Sequence, residues 1–241
     1  MLREEEKERY GRQLLIPGWD QEKLAAAKVL IVGLGGLGSA SALYLAAAGV
    51  GKLRICDGDR VERSDLNRQI LYSESSLGSP KVEEASRRIA GLNPLVSVEK
   101  RGVFMNSGNV AGIIAGCQVI IDGLDNLASR FVLNEEAFRQ RIPFVYGAVQ
   151  GWQGYVGLFH PPRTACLACL MRPDLAGRQR VPVSGATPGT IGLIQANEAI
   201  KLLLGMSSSL LGRLLIYDGR ELSFETIGLE KNPACPVCAE A

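Results

Sequence analysis

The sequence predicts an α/β protein with a Rossmann-like, mostly parallel sheet, helices on both faces and an antiparallel extension. Three observations carry this prediction. Short β-branched runs alternate with helical segments along the first part of the chain, and the first run, Lys28 to Val32, stops in the glycine cluster Gly33-Leu34-Gly35-Gly36-Leu37-Gly38. Later, two apolar runs are separated only by Gly151 to Gly154, a spacing that suits a turn between antiparallel strands.

The elements follow in order. Arg3 to Leu15 reads as a helix ending at Ile16-Pro17-Gly18, and Trp19 to Lys28 as a second short one, so residues 1–27 precede the sheet. Lys28 to Val32 is the first strand; Ser39 to Ala48 is an Ala/Leu-rich helix closed by Gly49. Leu53 to Cys56 is the second strand, followed by a polar stretch up to Gly78 and a helix from Pro80 to Ala90. Val96 to Glu99 and Val119 to Ile121 read as strands around a short helix at Asn109 to Ala115, and Leu127 to Gln140 as a longer helix. This alternation implies parallel strands with right-handed crossovers. Ile142 to Val149 and Tyr155 to Phe159 complete a core spanning residues 28–160. Residues 161–189 are rich in Pro, Arg and Gly and read as a long, mobile loop. Residues 190–241 then return to order, with a helix from Ile191 to Leu204 and a hairpin of Leu214 to Tyr217 and Leu222 to Thr226 around Asp218-Gly219-Arg220.

With 241 residues, 46% of them hydrophobic and 22% charged, the chain has globular proportions and suits one α/β domain over residues 1–241. A net charge of +2 with no basic stripe gives no reason to expect nucleic acid. No apolar run reaches the roughly 18 residues that span a bilayer, and the N-terminus lacks the basic-then-apolar order of a signal peptide. The expectation is therefore no membrane and a cytoplasmic location.

The glycine cluster fits G-x-G-x-x-G where a strand turns into a helix, so Gly33, Gly35, Gly36 and Gly38 are candidates for bringing backbone N–H groups close to phosphate. Asp57 stands at the end of the second strand, where a carboxylate can hold a ribose hydroxyl. These two features alone suit NAD and an oxidoreductase. The polar run from Asp57 to Gln69 and Lys81 at the next helix start argue for ATP instead, because Arg68 and Lys81 supply the cations that a triphosphate needs. A second acidic strand end, Asp122-Gly123-Leu124-Asp125-Asn126, offers a carboxylate for magnesium. Turn formation or capping stays equally open for Asp122, and capping stays open for Asp125 and Asn126.

Six cysteines are present, and four form the pairs Cys166-Leu167-Ala168-Cys169 and Cys235-Pro236-Val237-Cys238. Four thiolates suit a tetrahedral structural zinc with no open position for substrate; two redox motifs are the alternative. Cys56 and Cys117 read as small core residues, and the one histidine, His160, as structural or exposed.

GLGGLG, DGDRVERSDLNRQ, GSPKVE, DGLDN and the paired CxxC, in this order and spacing, resemble the ThiF/MoeB/HesA family, bacterial relatives of ubiquitin-activating enzymes. The resemblance runs from Glu8-Arg9-Tyr10-Gly11-Arg12-Gln13 to Cys238. It implies an adenylyltransferase that activates, with ATP, the C-terminal glycine carboxylate of a ubiquitin-like sulfur-carrier protein of the ThiS/MoaD type ending in Gly-Gly, and releases pyrophosphate. By matching positions it implies that Gly36, Asp57, Asn67, Arg68, Lys81, Asp125 and Asn126 line the ATP site. Asp57 would hold the ribose, Arg68 and Lys81 would face the phosphates, and Asp125 would position magnesium. Arg12 would reach the ATP of the neighbouring subunit of a homodimer, with Asp59 and Gln69 in support. Some relatives carry a cysteine after the first CxxC for a thioester or persulfide, but none lies between Cys169 and Cys235, which puts covalent transfer through that loop in doubt and leaves the fate of the adenylate open. Gly147, Gly151 and Gly154 are expected to leave room for the carrier's tail, and Arg172, Arg178 and Arg180 either guide that tail or form a solvated charge run. A non-catalytic scaffold that binds nucleotide without turnover is the remaining alternative.

Overall fold

A computed structural model describes residues 2–171 and 182–239. Eight strands form one sheet in the order β3-β2-β1-β4-β5-β6-β7-β8. β1 (Lys28–Val32), β2 (Lys52–Cys56), β3 (Ser97–Arg101), β4 (Val119–Asp122) and β5 (Phe144–Gln150) pair in parallel. From β5 onward the sheet is antiparallel through β6 (Gln153–Phe159), β7 (Arg213–Asp218) and β8 (Ser223–Gly228).

The central strands read as continuous hydrophobic runs because both faces are covered. Alternate residues serve opposite layers. Val29, Ile31, Leu53, Ile55, Val119 and Ile121 pack with Leu45 of α3 (Gly36–Ala47), Ile89 of α4 (Lys81–Leu92) and Ile191 of α8 (Ala186–Leu204). Leu30, Val32, Ile120, Phe144 and Tyr146 pack against α5 (Val110–Ile114) and α6 (Leu127–Arg139), and the four paired cysteines lie in this second layer. α3 and α8 approach closely because small residues face each other. The Ser41 hydroxyl donates to Gly192 O at 2.9 Å, and a Cβ on Gly192 would stand 2.9 Å from the Ala40 methyl.

Several boundaries differ from the sequence reading, each for a local reason. The first predicted helix divides into α1 (Glu4–Tyr10) and a 3-10 turn, Gln13–Leu15, around Gly11 and Arg12. The second is only α2 (Gln21–Ala26), started by the Asp20 carboxylate accepting from Lys23 N. α3 begins three residues earlier than read, inside the glycine cluster, and ends with Gly49 at φ +83° as its terminator. The polar stretch before Gly78 contains two 3-10 turns, Arg63–Asp65 and Glu74–Ser76. The region read as a long loop holds the turn α7 (Leu167–Leu170) and the first residues of α8. Pro188 stands in the first turn of α8, where proline is tolerated because its missing N–H has no partner to lose. Arg172, Arg178 and Arg180 lie outside the described residues, as do residues 172–181 of the segment expected to be mobile.

Candidate functional site

The strand order reverses between β1 and β4, so the crevice beyond their C-terminal ends is where an open α/β sheet receives a ligand. The glycine cluster sits there, and its glycines differ in what surrounds them. Gly33, at φ +84°, would place a Cβ 2.5 Å from Gly123 O, and a Cβ on Gly38 would collide with Gly33 O, so these two allow the β1 and β4 turns and α3 to meet. Gly36 would meet the Pro188 ring at 2.8 Å, whereas Gly35 would meet only Gln69 Nε2 at 3.9 Å. Gly35 is therefore the open approach to the N-terminus of α3.

Asp57 follows β2. Its Oδ2 accepts from Leu34 N at 2.7 Å and its Oδ1 from Asp59 N at 2.8 Å, which fixes the carboxylate against the glycine cluster. Burial raises its pKa, opposed by those two amide hydrogen bonds. Each oxygen retains a lone pair for a hydroxyl.

The polar run folds back so that its charges meet Lys81 at the start of α4. Lys81 is buried, with Nζ 3.5 Å from Asp59 Oδ2 and 3.6 Å from Asp65 Oδ2. Arg68 is half-buried; its guanidinium lies 3.6 Å from Asp65 Oδ1 and donates to Ser64 O at 2.9 Å and Asn67 Oδ1 at 3.0 Å. Gln69 is buried and donates to Asp65 Oδ1 at 2.7 Å. Asn67 is exposed, and its backbone carbonyl packs against Gly185 just before α8.

On the other side of the crevice the β4 turn is held by a buried ion pair. Asp122 has no exposed surface, accepts from Leu124 N at 3.0 Å and faces Arg130 Nε at 3.3 Å. Burial raises its pKa, with Arg130 as the main opposing influence. Arg130 also donates to Leu124 O and, at 2.6 Å, to Gly147 O, and its guanidinium lies 5.0 Å from the Tyr146 ring centroid. Asp122 thus forms the turn. Asn126 caps α6 by accepting from Ser129 N at 2.9 Å, and Asp125 stays exposed with Asn126 Nδ2 at 3.3 Å on its Oδ1. Asp125 is available as a ligand.

The cysteine pairs converge. Their four sulfurs lie within 4.8 Å of one another, with Cys166 and Cys235 at 3.5 Å and Cys169 and Cys238 at 3.4 Å. These separations exceed a disulfide's roughly 2.05 Å. They fit four thiolates about 2.3 Å from one tetrahedral metal, the donor set that zinc prefers. Cys56 and Cys117 are buried apart from this cluster. His160 Nδ1 lies 3.2 Å from Pro161 O, and its backbone N–H donates to Thr164, a local loop role.

The structure thus brings Asp57, Asp59, Asn67, Arg68, Gln69 and Lys81 into one connected group, with Asp125 and Asn126 on the turn that packs against Gly33. Arg12 stands apart, exposed on the break after α1 and making no hydrogen bond or ion pair with the described residues. One expectation needs correction: the space at Gly147 and Gly154 belongs to α8, since a Cβ would run into Gln195 and Ile191 respectively. Of the three, Gly151, at φ +61°, meets nothing within 4 Å among the described residues. Two residues had no role from the sequence. Asp65 was hidden inside the polar run, although its spacing from Arg68 and Gln69 is that of neighbours on one helical turn. Arg130 was visible only as a charge in α6, because its partner becomes evident once β4 and α6 are placed.

Residues 10–237 match the ThiF family. Among curated proteins, the sulfur carrier protein adenylyltransferase of Thermus thermophilus is 39% identical over 98% of this chain and 92% of its own length. The molybdopterin-synthase adenylyltransferase of Escherichia coli is 37% identical over 99% of both. Among solved structures, Escherichia coli MccB crystallised with ATP superimposes with a TM-score of 0.83 over 90% of this chain and 68% of that one, at 23% identity, a likeness of fold.

Proposed function

Because the chain belongs to the ThiF family, we propose that it adenylates the C-terminal glycine carboxylate of a small ubiquitin-like sulfur-carrier protein with ATP, releasing pyrophosphate. Adenylyltransferase activity is what its named relatives share. The observation that carries the finer reading is the pairing of Arg68 and Lys81 through Asp65, beside an open glycine turn and a pinned Asp57.

On this reading Asp57 accepts from the ribose, and the phosphates pass Gly35 and Gly36 toward Arg68 and Lys81. The carrier's carboxylate is ionised at neutral pH and attacks the α-phosphate without a general base. Arg68 and Lys81 offset charge on the departing pyrophosphate, which leaves as the acyl-adenylate forms. Asp125, with Asn126 orienting it, would hold magnesium, whose charge stabilises the phosphate oxygens. Asp59 and Asn67 hold the cations in place, and Gln69 holds Asp65 between them. Arg12, exposed and without a partner among the described residues, would serve the site of a second copy in a homodimer. Cys166, Cys169, Cys235 and Cys238 would hold a structural zinc away from the reaction. Among the described residues no helix is long and apolar enough to cross a membrane, and a cytoplasmic enzyme is part of the proposal.

The test is ATP–pyrophosphate exchange with purified carriers ending in Gly-Gly, together with intact-mass detection of a carrier adenylate. Exchange that depends on the carrier and disappears in a folded Asp125→Ala variant is the expected result. Carrier-independent behaviour, or full exchange by Asp125→Ala, would count against it.

A further inference from the structure

We propose that Asp65 is a built-in competitor of the nucleotide's phosphates, a buried counter-ion whose charge weakens the hold of Arg68 and Lys81 on triphosphate and pyrophosphate. The inference rests on the ATP site proposed above and concerns a residue that has no part in that scheme beyond its contacts.

Two cations this close, one of them buried, need negative charge nearby when no ligand is present. Asp59 and Asp65 both supply it, but they differ in freedom. Asp59 is half-exposed and, among the described residues, its side chain touches only Lys81 at hydrogen-bond range, so it can turn to water when phosphate arrives. Asp65 cannot. Its Oδ2 accepts from Glu62 N at 3.0 Å and its Oδ1 from Gln69 Nε2 at 2.7 Å, with its side chain only 10% exposed. It lies within 3.6 Å of both cations, and its two hydrogen bonds hold it there. A phosphate on the far side of Lys81 or Arg68 is then a second anion facing a fixed first one. The ligand with most phosphate charge is disfavoured most, and pyrophosphate leaves more readily than two unopposed cations would allow.

The cations keep their places without Asp65. Arg68 retains Ser64 O and Asn67, and Lys81 retains Asp59. The substitution Asp65→Asn is accommodated as well, because Gln69 Oε1 is buried without a partner. A flip of the Gln69 amide lets that oxygen accept from the new side-chain NH2 while the asparagine oxygen keeps the Glu62 amide.

Calorimetric titration of wild type and Asp65→Asn with ATP, pyrophosphate and adenosine separates charge from structure. ATP and pyrophosphate are expected to bind at least about tenfold more tightly to the variant, since like charges a few ångströms apart near a protein surface repel by more than one decade of affinity. Adenosine is expected to bind within about twofold of wild type, because it brings no charge to the cations. Pyrophosphate should also inhibit exchange at lower concentration. Asp65→Ser, which keeps an acceptor for the Glu62 amide, is the second variant. Unchanged or weaker ATP and pyrophosphate binding, an equal gain for adenosine, or failure of both variants to fold overturns the proposal. Wild-type protein that binds no ATP overturns the reading beneath it instead, so the two failures are distinguishable.

Discussion

Replacing Arg130 with glutamine removes the guanidinium that joins the β4 turn, α6 and β5. Asp122 has no exposed surface, so the variant leaves a fully buried carboxylate without its cation. Breaking such a pair from one side costs about 3–5 kcal/mol. A glutamine amide can still donate to Leu124 O or Gly147 O, but it carries no charge and loses the contact with the Tyr146 ring. We therefore expect a loss of about 4 kcal/mol near neutral pH, a large share of the roughly 5–15 kcal/mol that holds an ordinary protein together. The pH dependence has a definite sign. Burial already raises the Asp122 pKa, and Arg130 is the main influence lowering it, so removal of Arg130 raises it further. A carboxyl whose folded pKa is raised opposes folding at higher pH, and the penalty lifts as pH falls through that value. Denaturant unfolding at about pH 7.5 and about pH 5.5 should thus show a smaller deficit under the more acidic condition. Asp122→Asn in the Arg130→Gln background should recover most of the loss, because no charge then remains buried. A deficit below about 1 kcal/mol, or one that does not shrink on acidification, would refute the reasoning.

The glycine cluster divides in a second experiment. Gly33→Ala faces both φ +84° and Gly123 O, and is expected to fold poorly; Gly35→Ala should fold and lose ATP affinity, since its Cβ enters open space where phosphate would approach. Calorimetric unfolding and nucleotide titration distinguish these outcomes, and normal ATP binding by Gly35→Ala would remove that glycine from the site. The cysteine cluster predicts one zinc per chain by elemental analysis, lost in Cys166→Ser and Cys238→Ser. Loss of the metal should lower Tm by more than about 5 °C, given that 1 kcal/mol moves a chain of this size by about 2–4 °C. A metal-free preparation with unchanged Tm would count against zinc.

Much of this arrangement is legible in the sequence, for physical reasons. β1 and the glycine cluster declare themselves because a doubly buried strand must be continuously apolar and a turn with φ above zero favours glycine. The cysteine pairs declare a cluster because thiolates at that spacing have few other uses. What escaped is pairing across the fold. Asp122 was open between ligand and turn residue, and only its burial beside Arg130 decides it. Gly147 and Gly154 signalled close approach correctly, but a sequence does not say of what, and the approaching body is α8. Asp65 was concealed by its setting, one acid among several.

α8 also bears on how the chain comes to be folded. Gln195 donates from one amide to Asp122 O at 2.8 Å and to Val145 O at 2.9 Å, across 73 and 50 positions of sequence. Ile191, Ala196 and Ala199 complete the layer over the strands that carry the glycine cluster. A ribosome that has finished the first five strands has therefore not yet produced the helix that closes them, and their carbonyls and apolar face must wait for it. Contacts this distant make folding slow and leave the nascent sheet open to wrong partners. A fragment ending near residue 160 is expected to stay incomplete on its own and to recover order when the remaining polypeptide is supplied separately.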